Sequence, residues 1–330
     1  MATELIETLL LFSLPASGKS ELRKYLAGLT KDQCRSEFHI GETLQLDDYP
    51  YVHFMHRIDD ELTKLGWRAA FYKGPSRPFQ DEWEWAALIE LLNEDYADLM
   101  AGRQHAPPSA AQLLFDRLDA AHAKVGLPES LGDVPYKLRR KVAEALEAEC
   151  KADLEARNRQ ATQDKRGRTV VIEAARGGPN GAAFPLTPPV GYAAAFQQLS
   201  EGILEKAAVL YIQVEPAESR RKNIERGRPD GQGSILHHSV PMEVMLSQYG
   251  CDDMAYLAKL SSRPNSISVE RLFEEKGVYR TRTFHLPVAM FDNRKDLTTF
   301  VREDRAKWKQ PDVDAIHGEL KKALTTLAGS

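Results

Sequence analysis

The sequence predicts an α/β protein with a doubly wound, mostly parallel sheet. Three observations carry the prediction. Residues 5–12, 168–173, 207–214 and 286–291 are near-continuous apolar runs, the pattern of parallel strands covered on both faces. Helical stretches alternate with them at residues 20–29, 52–65 and 192–206. The first strand also runs into a glycine-containing loop that opens directly into a helix.

In chain order, the strand at 5–12 is followed by a short amphipathic helix at 20–29, closed by Gly28 and Thr30. A second strand at 43–46 leads into Asp47-Asp48-Tyr49-Pro50, then a helix with Phe54, Ile58, Leu62 and Leu65 on one face. From residue 78 to about 166 the character changes. Helices are expected at 83–100, 110–125 and 136–163, with prolines and glycines between them and no strand. This reads as a helical insertion into a single domain spanning 1–330. The charge-rich stretch 137–165 reads as a solvated helix face. Strands resume at 168–173 and 207–214, joined by the helix at 192–206. A last strand at 286–291 precedes a C-terminal helix beginning near Asp312.

Composition sets bounds on function. The chain has 330 residues, 42% hydrophobic and 28% charged, enough for a sizeable core. Its net charge of −4 (44 Lys and Arg against 48 Asp and Glu) disfavours a dedicated nucleic-acid binder. Cys34, Cys150 and Cys251 lie far apart without metal-ligand spacing, as expected of idle thiols in a reducing compartment. Glu4 and Glu7 stand where a signal peptide carries basic residues, and no run is long enough to span a membrane, so cytoplasmic residence is expected.

The chemistry centres on Ser13-Leu14-Pro15-Ala16-Ser17-Gly18-Lys19-Ser20. This is the pattern G-x-x-x-x-G-K-[ST] with Ser13 in place of the first glycine. Backbone N–H groups of such a loop and the new helix's N-terminus favour a bound phosphate. Residues 16–21, from Ala16 and Ser17 through Gly18, Lys19 and Ser20 to Glu21, form the candidate nucleotide-binding segment. Lys19 is expected to reach the β- and γ-phosphates, and the Ser20 hydroxyl to ligate magnesium. Serine tolerates a positive φ poorly, so Ser13 sets a question about the loop's geometry.

The Leu-Pro-Ala-Ser-Gly-Lys-Ser loop resembles that of the P-loop kinases, the superfamily of nucleoside, nucleotide, polynucleotide and metabolite kinases. Leu46-Asp47-Asp48-Tyr49 is similar to the Arg-Asp-Asp-Tyr segment of polynucleotide 5′-hydroxyl kinases. The resemblance implies a sheet of the P-loop kinase type, with Asp47 as general base and Asp48 secondary, near the acceptor. It also implies an arginine-rich lid at about 216–250, with Arg221, Arg226 and Arg228 clamping the transferring phosphoryl group. A carboxylate at a strand's C-terminal end lies where open α/β sheets bind ligands, which agrees with the Asp47 assignment. Arginine forks suit phosphoryl oxygens on their own terms.

Other residues support the same site. Glu173 ends an apolar strand and is a candidate second-shell magnesium ligand. Arg176, ahead of two glycines, is a candidate acceptor contact. Asn293, after the last strand, is a candidate adenine contact or helix cap. His237-His238 read as loop histidines, and the aromatics from Tyr49 to Trp85 more as core than as an acceptor pocket. The expectation is an ATP- and magnesium-dependent kinase acting on a hydroxyl or phosphate of a small acceptor. The alternatives are a polynucleotide 5′-hydroxyl kinase, disfavoured by the acidic balance, and a nucleotide-dependent regulatory ATPase.

Overall fold

The computed structural model describes residues 5–227 and 239–329. A six-stranded sheet in the order β2-β3-β1-β4-β6-β5 forms its spine. The strands are β1 (Thr8–Phe12), β2 (Glu42–Asp47), β3 (Arg168–Ala174), β4 (Ala207–Gln213), β5 (Ser266–Glu275) and β6 (Val278–Asp292). The first five in this spatial order run parallel, and β5 closes the edge antiparallel to β6.

Period-two alternation splits the apolar side chains of each central strand between two helical layers. Leu9 and Leu11 of β1 pack with α1 (Lys19–Ala27), α2 (Lys31–Phe38) and α12 (Gln310–Ala328). Leu10 and Phe12 pack on the opposite face, against α7 (Gly191–Gln198), α8 (Glu201–Leu204) and α11 (Met254–Leu260). The predicted doubly wound α/β arrangement is observed.

Four helices lie between β2 and β3: α3 (Tyr49–Lys64), α4 (Glu84–Ala101), α5 (Ala110–Val125) and α6 (Tyr136–Ala161). They build a core of their own around Phe54, Ile58, Leu88, Phe115 and Leu146, and α4 also covers the sheet through Ile89 and Leu92. A buried ionic knot braces them. Asp95 accepts from Arg117 at 2.7 Å, Arg157 at 3.0 Å and the Tyr51 hydroxyl at 2.5 Å. The aromatics Tyr51, Tyr72 and Trp85 are part of this core. Two further helices, α9 (Pro216–Arg226) and α10 (Met242–Ser247), follow β4.

Some elements differ from the sequence expectation. The helix expected at 192–206 breaks into α7 and α8 at Leu199 and Ser200, which have extended backbones. β5, α2, α10 and α11 have no counterpart in the expectation, and β6 begins eight residues before the expected 286. Among the described residues, no helix is long and apolar enough to cross a membrane. All three cysteines are free.

Candidate functional site

Parallel strands deliver their C-terminal ends to one edge of the sheet, and the expected chemistry gathers there. β1 empties into the Ser13–Ser20 loop, β2 ends at Asp47, and β3 carries Glu173 in register beside both Leu11 and Asp47. β6 ends at Asp292, next to Asn293.

The loop turns through two left-handed residues, Ala16 at φ 54° and Gly18 at φ 108°. Ser13 is not among the residues with positive φ, so the motif's first position does not require glycine in this chain. The buried Ser13 hydroxyl instead works inside the loop. It contacts the Ser17 hydroxyl, donates to the Leu14 carbonyl at 3.2 Å, and accepts from Lys19 Nζ at 3.1 Å. Lys19 Nζ donates also to the Ser13 carbonyl at 3.1 Å. Gly18 is required twice over: by its φ, and because a Cβ would come within 2.5 Å of Thr298 Oγ1 and 2.9 Å of Asn293 Nδ2.

Asn293 straps this loop to the end of β6. It is fully buried, donating from Nδ2 to the Ser17 carbonyl at 2.6 Å and to Thr298 Oγ1 at 2.9 Å. Its Oδ1 accepts from the Leu297 N–H at 2.7 Å. With both amide hydrogens committed, Asn293 has no donor left for a base, and its part is to hold the loop. Asn293→Ala should therefore destabilise the protein by about 1–3 kcal/mol, because the Ser17 carbonyl and Thr298 lose a buried partner. A thermal melt unchanged from wild type would refute the strap.

Three carboxylates converge beside Lys19. Burial, then Glu173, then Asp48 push the Asp47 carboxyl up to about 7. Glu173 is raised too, by burial, with Arg23 and Lys19 opposing. Arg23 Nη1 lies 2.7 Å from Glu173 Oε1 and donates to Gln45 Oε1 at 2.9 Å. Burial lowers the Lys19 ammonium from its ordinary range, while Glu173, Asp47 and Asp48 pull the other way. Asp47 is also anchored locally, accepting from the Tyr49 N–H at 2.9 Å.

Asp48 and Arg176, both expected near an acceptor, are buried against each other. Arg176 is 2% exposed and donates from Nη1 to Asp48 Oδ2 at 2.5 Å and to the Ala175 carbonyl at 2.7 Å. Its guanidinium carbon stands 4.8 Å over the Trp85 ring. The pair fixes the turn after β2 to the end of β3, and so fixes Asp47 between them.

Helix α9 splits the expected lid arginines by face. Ser219 donates to the Pro15 carbonyl at 2.7 Å, and the fully buried Lys222 reaches Asp296 Oδ1 at 2.7 Å. One turn on, Arg226 is largely buried, which lowers its guanidinium from the ordinary arginine range, with Glu21 opposing. Arg226 lies close enough to act on the Lys19 charge. Arg221 faces away: Glu218 holds its Nε at 2.7 Å, and Glu225 also takes the fork. Arg228, His237 and His238 lie outside the described residues. Glu21 is buried and accepts from Arg302 Nε at 2.6 Å, in a cluster with Arg226.

The sequence reading missed Arg23, Ser219, Lys222 and Arg302. For Ser219, Lys222 and Arg226 a signal existed: their spacing of three and four places them on one helical face. No protein-family model and no curated protein matches this chain.

Proposed function

We propose that this chain is a nucleotide-dependent phosphotransferase of the P-loop kinase kind. More narrowly, we propose an ATP- and magnesium-dependent kinase for a hydroxyl or phosphate group of a small acceptor. The observation that carries the reading is the convergence of Lys19, Asp47 and Glu173 at the ends of three adjacent parallel strands, beside a left-handed turn at Gly18. The loop's N–H groups and Lys19 suit the phosphates of a nucleotide. Asp47, raised toward neutrality, suits a group that takes a proton from an attacking hydroxyl.

The hard oxygen donors of Ser20 and Glu173 fit magnesium. Among the described residues no group of three or more His, Cys, Asp or Glu side chains is placed to hold a metal ion. Held by Ser20 and Glu173 on a nucleotide's phosphates, magnesium would neutralise charge developing on the phosphoryl group. Glu173 is held meanwhile by Arg23.

The direct test is ADP release from MgATP across a panel of nucleosides, nucleotides, sugars and a 5′-hydroxyl oligonucleotide. Acceptor-stimulated release is expected, with a small molecule as the best acceptor. Stimulation by the oligonucleotide alone would select the polynucleotide kinase alternative. Slow hydrolysis indifferent to every acceptor would select the regulatory ATPase.

The two lid arginines give a contrast. Arg226→Ala should lower kcat on the order of 10²–10³, with lysine a poor substitute for the fork. Arg221→Ala should stay within about twofold of wild type, since its guanidinium is engaged on the exposed side of α9. Equal losses in steady-state kinetics would refute the division by face.

A further inference from the structure

The sheet and helices α1 and α2 border a partly open cavity of about 360 Å³. Leu26 and Leu29 are the partly exposed leucines of its wall, with Leu9, Leu11, Leu22 and Leu210 buried behind them. It reaches solvent along β2, where Thr43 and Gln45 are exposed. This volume falls in the range of small-molecule sites.

Outside the Arg23–Glu173 pair, the rim carries one net positive charge. Among the described lining residues, the basic groups are Arg23, Lys31 and Arg168, and the acidic group is Glu42 alone. Lys31 Nζ lies 2.5 Å and Arg168 Nη2 3.5 Å from the same Glu42 carboxylate, so one anion is shared between two cations. Arg23 is turned toward Glu173, and its buried Nε–H has no hydrogen-bond partner among the described residues. An apolar slot with a net positive mouth selects one kind of molecule.

We propose that this cavity binds a small amphipathic monoanion. Its aliphatic chain lies against Leu26 and Leu29, driven by removal of apolar surface from water. Its carboxylate sits at the mouth, sharing Lys31 and Arg168 with Glu42 through charge-assisted hydrogen bonds. A cationic head finds like charge there, and a short carboxylate lacks the apolar surface. Arg23 both lines the slot and holds Glu173, so an occupant that reaches Arg23 also touches the electrostatics of the strand-end cluster. The proposal is independent of phosphoryl transfer, because binding is measured without nucleotide.

The test is isothermal titration of the full chain with decanoate, alongside butyrate and decyltrimethylammonium. Saturable one-to-one binding of decanoate is expected, with the other two at least about tenfold weaker. Lys31→Glu should weaken decanoate by about tenfold or more, and Leu26→Trp, which fills the slot, should abolish binding. Lys31 is a solvated side chain, so its variant stays folded and decides the question even if the tryptophan variant does not fold. No saturable heat with decanoate would overturn the proposal. So would equal binding of the cationic amphiphile, or wild-type affinity in the Lys31→Glu protein.

Discussion

Lys19→Ala is expected to abolish nucleotide turnover, by a factor on the order of 10³ or more, in a protein that remains folded. Lys19 opens helix α1, and alanine is the best helix former, so the backbone has no reason to change. The ammonium's hydrogen bonds go to the carbonyl and hydroxyl of Ser13 within the same loop, and it packs no core contact that alanine would leave as a large void. Its burial among Asp47, Asp48 and Glu173 means that removal leaves those acids less compensated. A modest stability loss is therefore expected, largest above neutral pH, where the acids are most ionised. Arginine should not rescue turnover, because Ser13 receives a compact point donor, and a planar fork does not fit the same place. ADP-release kinetics beside a melting curve check both halves. Turnover at the wild-type level in the folded variant would remove the loop from any role in catalysis.

What the sequence disclosed follows from where the information lies. The Ser13–Ser20 loop was legible because its chemistry is contiguous: strand, turn and helix occur within about twenty residues. Asp47 and Glu173 were legible singly, each as an acid ending an apolar run, and the parallel register brings them side by side. Asn293 was visible only as a polar residue after a strand. Its bond to the Ser17 carbonyl joins residues from opposite ends of the chain, and no local pattern announces it. The Arg23–Glu173 contact is hidden in the same way.

β5 was missed for a different reason. Ser266–Glu275 is an edge strand, and from Glu270 onward its side chains are largely solvated and charged, so no continuous apolar run marks it. Alternation of Ile267, Val269 and Phe273, with the left-handed Lys276-Gly277 turn behind them, was the available signal. In α9, counting arginines pointed at Arg221 and Arg226 alike. Helical phase separates them, since Ser219, Lys222 and Arg226 share the face toward the loop and Arg221 does not.

Helical phase does not distinguish the two adjacent aspartates, but their partners do, and the expected effects have opposite signs. Asp47→Asn should lower phosphoryl transfer by about two to four orders of magnitude, as for a lost general base, while nucleotide affinity barely changes. The same substitution should raise stability at pH 8, by about 1–3 kcal/mol. Burial and two neighbouring carboxylates raise the Asp47 carboxyl to about 7 in the folded protein, from its ordinary value of 3.8. Between those values the folded chain holds more protons than the unfolded one, so this group's contribution favours folding at low pH and is lost as pH rises through about 7. Asparagine stays neutral at every pH and keeps an oxygen for the Tyr49 N–H, so the variant should match wild type near pH 4 and exceed it above neutrality. Asp48→Asn should behave in the reverse way. It removes the charge that faces the buried Arg176 guanidinium, and breaking such a pair costs about 3–5 kcal/mol. Denaturant unfolding of both variants at pH 5 and pH 8, with transfer rates at pH 8, separates the roles. A destabilised Asp47→Asn protein with normal transfer would show that Asp47 is a structural acid and that the proton acceptor lies elsewhere.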